Sequence, residues 1–179
     1  MRTTFQNIYD NYHKDLFQFL VYMVKDKQQA EDLIQEVYIK VLQSYDSFKG
    51  ESSEKTWLFS IARHVAIDFF RKQKSKRNKI QEYFDWGEKG HLITDDQALP
   101  EEVAVLNDQM KLIYRCLDKC SIDQKSVIIL RYIQSFSIRE TADSLGWTTS
   151  KVKTTQHRAM KTLQKLLEEA DREEGLLSE

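Results

Sequence analysis

Glycine and proline are scarce, five and one in 179 residues. Tight reversals favour these residues, so an all-β fold with many turns is excluded in favour of long helices joined by few loops. Cysteine is nearly absent: Cys116 and Cys120 stand four apart. A disulfide-framed secreted domain needs more, and no signal peptide precedes them. Zinc needs further ligands, and the nearest histidine, His91, is at no metal-site spacing. Both are read as reduced, semi-buried thiols of a cytoplasmic protein. No apolar run approaches the ~18 residues that span a bilayer. The stretch from Leu16 to Val24 contains Gln18 and ends at Lys25-Asp26-Lys27.

A dominant charge sign is also missing, since the net charge is −1. The distribution carries more than the sum. Arg71, Lys72, Lys74, Lys76, Arg77 and Lys79 form one basic run. Lys151, Lys153, Arg158, Lys161 and Lys165 form a second with no acid among them. Acids gather at Asp85, Glu88, Asp95, Asp96, Glu101 and Glu102, and again from Glu168 to Glu174. A neutral total can thus contain two anion-binding surfaces.

What is present in quantity is helical periodicity; the expected fold is all-α. Phe5, Ile8, Tyr9, Tyr12, Leu16, Phe19, Leu20 and Met23 make a first stripe. Asp26 can cap a second helix with Ala30, Leu33, Ile34, Val37, Val41 and Leu42 inward. A loop over residues 46–53 follows, and Ser53 can cap a third helix bearing Trp57, Leu58, Ile61, Ala62, Val65 and Phe69. That helix runs on into the first basic run. Residues 78–100 lose periodicity, turn acidic and contain Gly87, Gly90 and Pro100, as a flexible linker would. The expected organisation is therefore a helical domain over 1–77, a linker over 78–100 and a second helical domain over 101–179. In the latter, Val105, Leu106, Met110, Ile113, Tyr114 and Leu117 make the next stripe, and Ser121 or Asp123 starts the helix after it.

The pattern from Ser137 to Lys165 predicts a helix-turn-helix. Ser137 and Glu140 make a capping box. Ile138, Ala142 and Leu145 face inward, Ala142 being small enough for a close helix crossing. Gly146 supplies the positive φ that ends the first helix. Thr148 or Thr149 caps the second, and Val152 anchors it. Lys151, Lys153, Thr154, Thr155, Gln156, His157 and Arg158 are left outward. Cations among them neutralise phosphates, and the others hydrogen-bond base edges in a major groove that admits a helix.

Three segments together resemble a known family. Residues 30–38, Ala-Glu-Asp-Leu-Ile-Gln-Glu-Val-Tyr, are similar to region 2.2 of bacterial RNA polymerase sigma factors. Residues 55–72 resemble regions 2.3 and 2.4, and Val127 through Leu167 resembles region 4.2. The match is to the extracytoplasmic-function group and, within it, to a type found in Gram-positive bacilli. The resemblance covers nearly the whole chain in the family's order and spacing. His64 departs from it where many members carry Asn, and Thr155 and Met160 stand where Arg is frequent. Promoter preference is therefore not transferable.

The resemblance implies RNA polymerase core and promoter DNA as partners, and an anti-sigma factor, commonly membrane-anchored, as regulator. It assigns polymerase binding to Asp32, Gln35, Glu36 and Ile39. It places the −10 element at Lys49, Ser52, Ser53, Trp57, Arg63, His64, Ile67, Asp68, Arg71 and Lys72. Trp57 either packs in the core or flanks an extruded base. It places the −35 element at Arg131, Lys151, Lys153, Thr154, Thr155, His157 and Arg158, with Arg131 reaching a phosphate.

Two other classes fit the residues less well. A stand-alone helix-turn-helix regulator leaves the Asp32–Glu36 stretch, Trp57 and the basic helix without a role. A nuclease could seat a metal on Asp32, Glu36 or Asp68. No His-Glu zinc motif, phosphate-binding glycine loop or nucleophile elbow accompanies them, so no enzyme, cofactor or small-molecule substrate is expected.

Overall fold

Helices, with no strand, account for the structure of residues 2–83, 103 and 108–176, the part described by the computed structural model. The first unit comprises α1 (Arg2–Val24), α2 (Lys27–Ser44) and α3 (Glu54–Tyr83). The second comprises α4 (Asp108–Cys116), α5 (Ile122–Ile128), α6 (Ile138–Leu145) and α7 (Thr149–Leu176). A single π-helical turn, Ile129–Ile133, prolongs α5.

The local starts and stops follow the sequence. Lys25 takes φ 58° where α1 ends. Asp26 then accepts from the Gln29 amide and caps α2. Ser53 caps α3 by accepting from the Thr56 amide at 3.1 Å. Capping boxes open α5, through Ser121 and Gln124, and α6, through Ser137 and Glu140. Each satisfies two amides that a helix start leaves unpaired. Gly146 closes α6 in the left-handed region at φ 65°, where the Trp147 amide returns to the Ala142 carbonyl at 2.9 Å. Thr148, not Thr149, caps α7, accepting from the Lys151 amide at 3.1 Å.

In the first unit Leu16, Phe19, Leu20 and Met23 of α1 meet Leu33, Ile34 and Val37 of α2 and Leu58, Ala62 and Val65 of α3. Each large side chain so buried stabilises the fold by about 1.5–3 kcal/mol. Two residues of the predicted stripes do not follow it: Tyr9 is 40% and Leu42 54% exposed. In the second unit Val152, Ala159 and Leu163 turn one face of α7 inward. Cys116 and Cys120 are both free and buried, deeper than expected, and burial pushes their thiols up.

Within the span 78–100 expected to be linker, residues up to Tyr83 are helical and belong to α3. The rest of that span lies outside the described residues, as do Val105 and Leu106. The two units pack together, with α3 against α6 as the largest contact between them. Phe59 stands at the junction, its ring edge-on to Phe19 of α1 at 5.5 Å and to Phe136 of the second unit at 5.0 Å. Truncating it to Ala would cost about 3–5 kcal/mol and weaken both packings.

Candidate functional site

The helix-turn-helix is present and presents its second helix to solvent. Lys151, Lys153, Thr154, His157 and Arg158 are exposed on the first turns of α7, while Thr155 and Gln156 are half-buried. None of the four cations and imidazoles Lys151, Lys153, His157 and Arg158 has an acidic partner among the described residues. Lys151 instead lies 3.8 Å over the Trp147 ring, which fixes its ammonium at the helix start. A shallow groove between α5 and α7 is lined by Asp123, Gln124, Ser150, Lys151, Thr154 and Arg158. The sequence had pointed to only half of this rim. Ser121 was legible as a helix start, but nothing in the sequence places Gln124 beside Thr162, to which its amide donates at 3.3 Å.

Arg131 departs from expectation. Its Nε donates to Gln156 Oε1 at 3.0 Å, and its Nη1 donates to the Phe136 carbonyl. The π-turn and the bend after it bring that carbonyl back onto the guanidinium. Arg131 therefore ties α7 to the turn before α6 and is not turned outward to a phosphate.

The face of α3 divides in two. His64, Arg71 and Lys72 are exposed, and Asp68 and Ile67 are half-exposed. Asp68 pairs with Arg71 at 3.2 Å and with Lys40 of α2 at 3.8 Å. His64 Nδ1 bonds the Ser60 carbonyl at 2.7 Å. Lys72, Lys74, Lys76 and Arg77 are exposed and form no ion pair among the described residues, leaving a cationic end to the helix. Arg63 is the exception. It is buried between the units, donating to Asp123 Oδ1 at 3.3 Å and lying 5.3 Å over the Trp147 ring. Burial lowers the hold of this guanidinium on its proton, and Asp123 opposes that effect. One helical position, one residue from His64, turns Arg63 onto the inward side of the helix.

The loop before α3 holds Lys49 exposed and Ser52 half-buried. Ser53, exposed, serves the helix cap and also donates to Thr56 Oγ1 at 2.8 Å. Trp57 is half-buried, stacked on Phe48 at 4.8 Å and edge-on to Tyr45 at 5.9 Å. It packs against the core with part of its indole still accessible. On α2, Asp32, Gln35 and Ile39 are exposed, and Glu36 is half-exposed and pairs with Lys40 at 3.8 Å. Ile39, 55% exposed, is an apolar side chain set among polar ones on a helix face that Leu33, Val37 and Val41 do not use.

Comparison with known proteins fits this layout. The family model for sigma-70 region 2 matches residues 8–76, and that for sigma-70 region 4 matches residues 110–163. Over 168 residues the chain is 60% identical to the ECF RNA polymerase sigma factor SigX of Bacillus subtilis (strain 168), covering 94% of this chain and 86% of that one. The chain belongs to the extracytoplasmic-function sigma factors. This sigma factor is also 31% identical to the RNA polymerase sigma factor YlaC of the same organism, over 98% of each chain. Its fold matches that of the sigma factor RpoE in a co-crystal structure with the anti-sigma factor NepR from Bartonella quintana. The TM-score is 0.70 and the identity 28%, covering 92% of this chain and 97% of that one. As a member of this family it directs RNA polymerase to promoters and supports initiation there. Among its described residues, no helix is long and apolar enough to cross a membrane.

Proposed function

We propose a division of labour within this sigma factor. The exposed stripe of α2, with Asp32, Gln35, Glu36 and Ile39, docks on the polymerase core. The outer face of α3 takes the −10 strand, with His64 against a base and Arg71, Lys72 and the cations beyond them on phosphates. The first turns of α7 read the −35 duplex through Lys153, Thr154, His157 and Arg158. The boundaries follow the units: the first domain ends with α3, and the second carries the helix-turn-helix. The protein acts in the cytoplasm, where polymerase and promoters are, and catalyses no reaction of its own.

The observation that carries this reading is the first turns of α7, where the exposed Lys151, Lys153, His157 and Arg158 have no acidic partner among the described residues. Such a face meets phosphates and base edges without first breaking internal pairs. An anti-sigma factor is proposed as a further partner, supported by the RpoE relative, which was captured with one. The chain has no sensor motif of its own, so an outside partner or its own abundance must set its activity.

The test is run-off transcription with purified core polymerase on genomic fragments, with start sites mapped. The expected result is discrete starts sharing two upstream elements, lost when either element is scrambled. Starts that survive scrambling of the upstream element would remove the role given to α7.

A further inference from the structure

The loop between α2 and α3 has both of its ends tied to one carboxylate. Glu54 opens α3, and Tyr45 opens the 3₁₀ turn Tyr45–Ser47 that follows α2. The Tyr45 hydroxyl donates to Glu54 Oε1 at 3.4 Å. Tyr12 of α1 donates to the same carboxylate. Burial, the Glu54 charge and this hydrogen bond all raise the Tyr12 phenol above its ordinary value, and the same causes raise Tyr45. Tyr12, Tyr45 and Glu54 are all half-buried. A hydrogen bond to an ionised acceptor is stronger than one to a neutral group. Here two such bonds meet on one side chain.

The core of the first unit uses the two rings, which pack against it, and not their hydroxyls. Phenylalanine at either place would fill the same space. What the hydroxyls and Glu54 add is a closed stem for residues 46–53. Beyond Phe48 the chain runs out into solvent. Lys49 and Glu51 are exposed, and Gly50 turns the tip at φ 71°, where an added Cβ would meet nothing within 4 Å. The tip packs on little of its own, so its shape is set at the stem.

The stem adjoins the face assigned to the −10 strand. Trp57, His64 and Arg71 follow one another at intervals of seven residues. Seven residues make about two helical turns, so the three share one side of α3. Phe48 stacks on Trp57 at the start of that line. We propose that Tyr12 and Tyr45 are positioning residues for −10 recognition. By sharing Glu54 they hold the ends of the loop together, and the tip meets the melted strand already shaped, in line with Trp57 and His64. A loop ordered beforehand loses less freedom on binding. Neither tyrosine touches DNA in this role. The inference rests on the assignment of α3 to the −10 strand for its consequence, but the clamp itself is measured without DNA.

The test begins with brief trypsin digestion of the free chain, with cleavage after Lys49 followed by mass spectrometry. Tyr12→Phe combined with Tyr45→Phe keeps both rings and removes both donors. Cleavage after Lys49 is expected to quicken at least threefold, while cleavage after Lys153 in α7 and helical circular dichroism stay unchanged. Should the double variant lose helicity, the two single variants carry the same measurement. Glu54→Gln retains a carbonyl oxygen that accepts from both phenols and should stay within twofold of the parent. Glu54→Met accepts from neither and should behave as the double variant does. In holoenzyme the double variant should slow −10 opening at least threefold, with core binding and −35 protection intact. Parental cleavage after Lys49 in the double variant, a Glu54→Gln variant no better than Glu54→Met, or parental opening each overturns the proposal. Failure of the −10 assignment would appear separately, as unchanged opening and −10 preference in His64→Ala, a substitution that leaves the stem intact.

Discussion

His64 Nδ1 lies 2.7 Å from the main-chain oxygen of Ser60, one turn back on α3. A carbonyl oxygen only accepts, so Nδ1 is the donor. In the neutral ring the outer nitrogen, Nε2, is then left as an acceptor. An asparagine at this place would offer a donor and an acceptor together.

The first prediction follows from that tautomer. At the −10 position facing His64, a base edge that presents an exocyclic amino group to Nε2, from adenine N6, cytosine N4 or guanine N2, should be favoured over an edge that presents only a carbonyl, so thymine should be the base most disfavoured. One hydrogen bond is worth about 0.5–1.5 kcal/mol, a preference of roughly two- to twelvefold. Sequencing run-off transcripts from promoters randomised through the −10 element measures it. His64→Ala should flatten the preference at one position only. A preference unchanged in that variant would place His64 outside the reading face.

The second prediction concerns salt. Arg158→Ala and Lys153→Ala in holoenzyme should weaken promoter binding. Where the lost contact is to a phosphate, all sequences weaken alike, and the slope of log K against log salt falls by about 0.9 for each contact. Where it is to a base edge, one −35 position relaxes by about 1–3 kcal/mol and the slope holds. A titration of binding against potassium chloride separates the two. Neither change in either variant would mean that α7 docks differently.

A third prediction concerns the start of α6. The Ser137 amide donates to Glu140 Oε2 at 2.7 Å. Hydrogen bonds from Ser137 hold the Glu140 carboxyl below its usual value. The folded state thus binds this proton less readily than the unfolded chain, so the stabilisation is full above the ordinary carboxylate range. It is lost as pH falls through the folded value. Glu140→Ala should cost about 1 kcal/mol at pH 7. That corresponds to about 2–4 °C in Tm for a chain of this size. The gap to the unsubstituted protein should close in acid. Equal gaps at pH 7 and pH 3 would contradict the charged cap.

For the polymerase surface, Gln35→Ala combined with Glu36→Arg should weaken core binding with no loss of helicity. Both side chains reach solvent on α2, and only the surface pair of Glu36 with Lys40 is lost. Such pairs contribute at most about 1 kcal/mol to stability. Co-purification with core, unchanged in the double variant, would move the docking site elsewhere.

What was legible in the sequence was local. Asp26, Ser53, Ser137 with Glu140, and Gly146 each act through partners within five residues, and each takes the role that spacing gave it. The outward set on α7 was legible for the same reason, since one helix period separates it from Val152 and Ala159. What escaped was tertiary. Arg63 is read outward from α3 alone, but Asp123 lies 60 positions away and turns it into a seam. Arg131 looks like a free cation until the bend at Phe136 returns a carbonyl to it. Lys125, which sequence reading did not single out, is buried against the Met23 carbonyl, with burial lowering its proton affinity and Asp118 opposing that. The helical run past residue 78 was missed because charged residues mask periodicity, although they are good helix formers.

Permanganate footprinting of holoenzyme on a cognate promoter, beside protection of the same DNA from nuclease, tests the division of labour most directly. His64→Ala should leave the −35 region protected while thymines of the −10 element lose reactivity or shift in position. Lys153→Ala with Arg158→Ala should lower protection of the −35 region at any given concentration, with the −10 thymines fully reactive on the templates that remain bound. The account is contradicted if His64→Ala leaves −10 reactivity unchanged, or if the α7 substitutions impair opening without reducing occupancy.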